Sequence, residues 1–164
     1  MASPAFTIRA ASSFDVHEMA RLFGQLGYEI PVDVLGRRLE AFERAGETAL
    51  VAEDDAAPGR LLAVATLHAT PVLHRAGPVG RVSALVVDGD VRGRGVGRAM
   101  MAAAEQWAAE RGCILMEVTS NRRRADAHAF YEGLGYERTS FRFAREPRRA
   151  DAPPLDADHP ARET

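Results

Sequence analysis

Three glycines interleaved with arginines, Arg92-Gly93-Arg94-Gly95-Val96-Gly97-Arg98, follow closely on the apolar run Val82-Ser83-Ala84-Leu85-Val86-Val87. After them a long amphipathic stretch begins. A strand that feeds a glycine-rich loop into a helix builds an anion site. Glycine lets the backbone turn tightly and approach a ligand closely, and the first helical turn presents unpaired N–H groups at the positive end of the helix dipole. Arg92, Arg94 and Arg98 add positive charge at the same place. The loop is therefore expected to hold a phosphate or a pyrophosphate.

Spacing narrows the ligand. A P-loop ends in Gly-Lys-Ser/Thr, and the chain has no lysine. A dinucleotide fingerprint needs G-x-G-x-x-G, whereas Gly93-Arg94-Gly95-Val96-Gly97-Arg98 has arginine at the third glycine. Glu117, about 20 residues on, stands where a ribose-binding acid would, and is the one feature in favour of that alternative. The pattern that fits is Arg-x-x-Gly-x-Gly, at Arg92, Gly95 and Gly97. Downstream lies Ile114-Leu115-Met116-Glu117-Val118-Thr119-Ser120-Asn121, and then Ala125-Asp126-Ala127-His128-Ala129-Phe130-Tyr131-Glu132-Gly133-Leu134-Gly135-Tyr136. It reads as a strand ending near Asn, then a short helix bearing Phe-Tyr and closing on Gly-Tyr.

Taken in this order, the two motifs resemble the acyl-CoA cleft of the GCN5-related N-acetyltransferase (GNAT) superfamily. The resemblance runs over roughly residues 6–145. It implies a mixed central sheet, α/β (α+β), splayed at the acyl-CoA cleft, with helices on both faces.

Local patterns agree. Residues 5–9 read as a first strand. Ser12 or Ser13 is placed to cap a helix with Val16, Met19, Ala20, Phe23 and Leu26 on one face, ended by Gly27. Asp33 is placed to cap a second helix. Strands are expected over 48–53, 61–68, 81–87, 113–119 and 140–145, the first two joined by the turn 54–59. Val96, Ala99, Met100, Ala103, Trp107 and Ala108 give the loop's helix its apolar face, with Gly112 as its stop. A further helix is expected over 127–134. One domain is expected over 1–145, and a proline- and charge-rich tail without periodicity over 146–164.

Composition bounds the function. The chain has 164 residues, 46% hydrophobic and 27% charged, with a net charge of −2. No basic field points to nucleic acid or to an anionic membrane as partner. Cys113 is the only cysteine, which excludes an internal disulfide and a multi-cysteine metal site, and the histidines show no metal-ligand spacing. No metal is expected. The N-terminus lacks a signal pattern and no apolar run reaches ~18 residues, so a cytoplasmic protein is expected.

The resemblance implies direct transfer of acetyl from acetyl-CoA to an amine within a ternary complex. Such chemistry needs a deprotonated amine, a donor for the oxyanion and a proton for the departing thiolate. The cofactor-binding set is then the strand end Leu85, Val86 and Val87 through backbone groups, the loop Arg92, Gly93, Arg94, Gly95, Val96, Gly97, Arg98 and Ala99, and Asn121, Phe130 and Tyr131. Val86 and Val87 N–H groups would bond the thioester carbonyl and the pantetheine arm. Tyr131 would protonate the sulfur. Many relatives carry a glutamate seven residues ahead of the aspartate that ends the strand; counting back from Asp88, that position is Arg81. Glu117 is the substitute base, with a surface or salt-bridged acid as its plain alternative; His68 and a water chain are further options. Asn121 reads equally as a turn residue. The acceptor is an amine on a small molecule or a protein N-terminus, with Tyr28 and Glu29 suited to a cation. A homodimer is left open. A second reading keeps the cleft but not the catalysis: a silent acyl-CoA-binding or regulatory module, which the missing carboxylate at Arg81 supports.

Overall fold

The computed structural model describes residues 5–147. Five strands form one sheet in the order β1 (Phe6–Ala10), β2 (Thr48–Asp54), β3 (Leu61–Thr70), β4 (Val79–Val87) and β5 (Leu115–Val118). The first four run antiparallel to their neighbours and β5 runs parallel to β4. A parallel neighbour demands a crossover. The crossover is α3 (Val96–Glu110), which the glycine loop opens.

Both faces of the sheet are covered, and the strands alternate between two cores. Leu50, Ala52, Leu62, Ala63, Ala65, Leu67 and Val82 meet Val96, Met100, Met101, Ala104, Trp107 and Ala108 of α3. Phe130 and Tyr131 of α4 (Ala125–Glu132) pack on that same core. Ala49, Val51, Leu61, Val64 and Val86 face the other way. They meet Met19, Leu22 and Phe23 of α1 (Val16–Gln25), and Leu35 and Leu39 of α2 (Val32–Arg44). Burial on two faces explains why β2 and β3 read as nearly continuous apolar runs.

Element ends depart from the sequence reading where side chains compete for them. Ser12 does act as a cap, but of a short 3-10 turn before α1: its N–H and hydroxyl both donate to Asp15, at 2.7 and 2.9 Å. Asp33 does not cap α2. The helix already starts at Val32 after Pro31, and Asp33 sits in the first turn, paired with Arg37 at 3.0 Å. The strand expected over 140–145 is absent. Residues there are irregular, with Phe141 and Phe143 exposed, and they pair with none of the five strands. The expected tail from 146 lies, beyond 147, outside the described residues. Among the described residues, no helix is long and apolar enough to cross a membrane.

One buried carboxylate fixes where β4 stops. Asp88 accepts from Arg21 of α1 at 2.9 Å and from Gln25 at 3.4 Å, and it caps the 3-10 turn Gly89–Val91 through the Asp90 N–H. Arg21 also donates to the Leu61 carbonyl, at 2.8 Å, and pairs with Glu18. Burial pushes the Asp88 carboxyl up, but the Asp90 N–H, Gln25 and Arg21 outweigh it and hold the group below its ordinary value. Asp15, bonded to Arg9 and to Ser12, is also held low, with the Arg9 bond the largest cause.

A carboxyl depressed in the folded protein stabilises it above the unfolded pKa, near ~4, and loses that contribution as the pH falls through the folded value. Asp88→Asn is expected to cost roughly 1–3 kcal/mol at pH 7, the range being tempered by the partial exposure of Arg21. In urea unfolding the gap from the parent protein should close as the pH drops below ~4. Equal midpoints at pH 7 would show that the pair contributes nothing.

Candidate active site

β4 and β5 share only the pairs Val79↔Leu115, Gly80↔Met116, Arg81↔Glu117 and Val82↔Val118. Beyond them β5 ends, while β4 runs on to Val87 with that edge open. The parting coincides with an irregularity in β4. Thr66 pairs with Ala84 and Leu67 with Val82, so Ser83 is an extra residue, a bulge that turns the strand.

Alternation along β4 sorts the strand-end amides. The Asp88 N–H donates to Leu62 of β3 at 2.8 Å, so the Val86 N–H shares the β3 edge. The N–H groups of Leu85 and Val87 face the open edge instead. By this alternation the Val86 amide falls on the β3 side, and Leu85 and Val87 carry the amides of the open edge.

The glycine loop begins after the Asp88 knot. Gly93 and Gly95 adopt φ of +73° and +88°, and Gly95 is the left-handed N-cap of α3. Such conformations strain a residue with a Cβ. Gly97 serves closeness instead. A Cβ there would meet the Phe130 ring at 3.3 Å and Val87 at 3.4 Å, so α3, α4 and β4 converge on that point. The Ala99 N–H closes the first helical bond, to Gly95 at 3.0 Å. Its amide is spent in the helix, and the amides of Val96, Gly97 and Arg98 before it have no carbonyl four residues back within the helix. Arg92 and Arg98 are exposed beside them, and Arg92 donates to the Val87 carbonyl at 3.3 Å.

Across the opening, α4 brings Phe130 and Tyr131 onto the α3 core, with the two rings T-shaped at 5.2 Å. Burial pushes the Tyr131 phenol up, against a smaller downward pull from Arg124. The phenol therefore carries its proton at neutral pH. Tyr136 is not simply packing: its hydroxyl donates to Glu105 of α3 at 2.8 Å, so it ties the end of the Phe-Tyr segment to the helix under the loop. Asn121 takes up its turn role, its side-chain oxygen accepting from the Arg123 N–H at 2.9 Å. His128 lies 3.0 Å from the Asn121 carbonyl and steadies the same turn.

Glu117 is ion-paired with Arg81 at 2.9 Å, the salt-bridged arrangement that stood beside the base role in the sequence. The same face of the sheet carries a polar row that the sequence did not join together. His68 of β3 lies opposite Arg81 in register. Its Nε2 is 2.7 Å from the Ser83 hydroxyl, which is 2.8 Å from the Thr66 hydroxyl, and its Nδ1 is 3.5 Å from Glu47. The available signal was Ser83 itself, a polar residue breaking an apolar strand. Among the described residues, no group of three or more His, Cys, Asp or Glu gathers as a metal site would.

The geometry has counterparts among known proteins. The chain is 37% identical over 87 residues to the aminoalkylphosphonate N-acetyltransferase of Salmonella typhimurium, covering 53% of this chain and 56% of that protein. It is 35% identical over 74 residues to the aminoglycoside N(6')-acetyltransferase type 1 of Stenotrophomonas maltophilia, covering 43% and 48%. The chain thus spans about half the length of these curated relatives. The aminoglycoside N-acetyltransferase AAC(6')-Iy, solved in complex with CoA, shares the fold at a TM-score of 0.78 and 21% identity, over 89% of this chain and 97% of that one. The signature of the acetyltransferase (GNAT) family matches residues 15–136, from the start of α1 to the end of the Phe-Tyr segment, and the chain belongs to that family.

Proposed function

We propose that this protein is an N-acetyltransferase that moves the acetyl group of acetyl-CoA onto a primary amine by direct attack in a ternary complex. The observation that carries it is the alignment of an open β4 edge with a left-handed glycine cap at the start of α3. A pyrophosphate fits the loop: unclaimed amides of the first α3 turn, the dipole behind them, and Arg92 and Arg98 at its sides. The Leu85 and Val87 amides on the open edge supply donors for the pantetheine arm and the thioester carbonyl. Asn121 contributes through its side-chain NH2 group, its oxygen being used in the turn. Tyr131, protonated at neutral pH, supplies the proton to the sulfur.

The named relatives act on an aminoalkylphosphonate and an aminoglycoside. A small amine, cationic before it reacts, is the acceptor class we favour, with exposed Tyr28 beside Glu29 in the loop between α1 and α2 as its first contact. We assign residues 1–145 to one catalytic domain and the protein to the cytoplasm, and leave a homodimer open. Arg81, at the place of the carboxylate of many relatives, favours a second reading: an acyl-CoA-binding module without turnover. CoA release measured over a panel of aminoalkylphosphonates, aminoglycosides, polyamines and amino acids separates the two. Turnover with any amine supports the enzyme, and tight CoA binding without turnover supports the module.

Gly95→Val puts a β-branched residue at φ +88° and thrusts a side chain toward the phosphate position. CoA affinity should fall by more than ~10-fold, about 1.4 kcal/mol, in calorimetric titration of protein shown by circular dichroism to be folded. Unchanged affinity would move the pyrophosphate elsewhere.

Tyr131→Phe keeps the ring and removes the proton. CoA affinity should hold while kcat falls by ~10- to ~1,000-fold. Tyr136→Phe should instead lower the melting temperature by loosening the bond to Glu105, with a smaller effect on kcat. Full kcat in Tyr131→Phe would remove it from the chemistry.

A further inference from the structure

The base was the open place in the chemistry, and the Glu117 carboxylate is engaged by Arg81. We infer that His68, acting through the Ser83 hydroxyl and oriented by Glu47, accepts the proton of the acceptor amine. This inference rests on the acetyltransferase reading above. Three observations carry it. The Ser83 Oγ lies 2.7 Å from His68 Nε2, and the Glu47 carboxylate lies on the other ring nitrogen, Nδ1, at 3.5 Å. Ser83 is the bulged, exposed residue next to Val82, the last β4 residue paired with β5, so it stands where the cleft opens. It also lies on the α1/α2 face. Both faces carry helices, but Arg81 and Ser83 are exposed at this end of β4, which leaves an opening there for an amine to approach.

The row is ordered for one proton path. With its ring proton on Nδ1, toward Glu47, His68 presents Nε2 as an acceptor for the Ser83 hydroxyl. In that arrangement the Ser83 hydroxyl turns from the Thr66 carbonyl, 3.4 Å away, to Nε2, the Thr66 hydroxyl at 2.8 Å serves as donor to Ser83 Oγ, and a lone pair is left for the amine N–H. Phe42 of α2 meets the His68 ring edge-on, at 5.0 Å between centroids, and limits its rotation. The charged groups facing this imidazole are Glu47 from the segment before β2, Arg81 opposite it on β4, and Glu117, which pairs with Arg81 from β5.

The step balances. The relay first takes a proton from the ammonium: that proton passes to Ser83 Oγ as the Ser83 proton passes to His68 Nε2, and the neutral nitrogen, now with a lone pair, bonds to the thioester carbonyl carbon. The C–S bond then breaks, the sulfur takes a proton from Tyr131 and the nitrogen releases its surplus proton to solvent, so the products are the N-acetyl amine and CoA thiol. His68 returns its proton through solvent and Tyr131 regains one. An amine of pKa near ~10 is almost wholly protonated at neutral pH and so needs a base there.

The test uses the full-length protein and the best amine from the panel. His68→Gln keeps a hydrogen-bonding side chain without a base. It should lower kcat/KM at pH 7 by ~100-fold, with CoA affinity unchanged in calorimetry, and the deficit should shrink above pH ~9, where free amine is more abundant. Ser83→Ala, which keeps the extra residue of the bulge at an exposed site, should lower kcat/KM by ~10-fold or more with the same pH trend, and it decides the matter if His68→Gln does not fold. Glu47→Gln should reduce kcat and shift the acidic limb of the pH profile with KM unchanged, an effect that mere loss of packing would not give. Ser83→Ala and folded His68→Gln proteins that follow the parent at every pH overturn the relay while the acetyltransferase reading stands. A parent protein that binds acetyl-CoA but acetylates no amine overturns both.

Discussion

The parting of β4 from β5 is the constraint on which the rest of this molecule depends. A parallel pair that continued past Val82 and Val118 would use the backbone groups on the facing edges of both strands and leave no cleft. Two features stop it. β5 is short, and Ser83 inserts an extra residue into β4 where the pairing ends, which turns the strand away. The open stretch that results carries donors at Leu85 and Val87 on an edge that has no neighbour among the described strands. An unpaired edge is ordinarily a liability, because its groups seek a partner. Here the edge is short, flanked by α3 and α4, and directed at the loop where a phosphate group fits.

Positioning that loop requires rigid support beneath it. Asp88 ends β4 and starts the turn into the glycines, and it is among the few buried charged residues described. Its ties to Arg21 and Gln25 join the strand end to α1, while Arg21 reaches the Leu61 carbonyl of β3. A buried carboxylate in such company adds less net stability than its contacts suggest, because desolvation opposes them. Its contribution is to place: the loop's origin is fixed relative to two strands and a helix. From there Gly95 turns the chain and Gly97 brings α3 against Phe130 and Val87. Both walls of the cleft therefore meet at one glycine.

What the sequence made legible was local. Hydrophobic spacing located α1, α3 and the strands to within a few residues, since each buries a periodic face that composition alone reveals. The glycine pattern located the cap of α3. The strand over 140–145 failed because alternation alone does not supply a pairing, and the segment, with Phe141 and Phe143 exposed, pairs with none of the five strands. Asp33 lost the cap of α2 because Pro31 already sets the backbone there. Long-range side-chain partners were beyond reach for a different reason. His68 meets Ser83, and Arg81 meets Glu117, only because register brings them side by side, and the bulge at Ser83 shifts that register by a residue. One extra residue moves every side chain beyond it to the other face.

The same register accounts for a substitution that looked like a loss. Arg81 occupies the place where the family resemblance leads one to expect a carboxylate, but its β5 partner in register is Glu117 and its β3 partner is His68. The face therefore keeps a carboxylate, one strand over and neutralised by the arginine, and it keeps a titratable group on the other side of the same position. Arg81 and Glu117 cancel each other locally, so the pair leaves the approach of a protonated amine unopposed. If the acceptor must arrive as the free base or lose its proton on arrival, a relay ending on an imidazole suits it better than a bare carboxylate would. The arginine occupies the carboxylate of β5 and the histidine is left for the problem that remains: an amine that binds charged and must react uncharged.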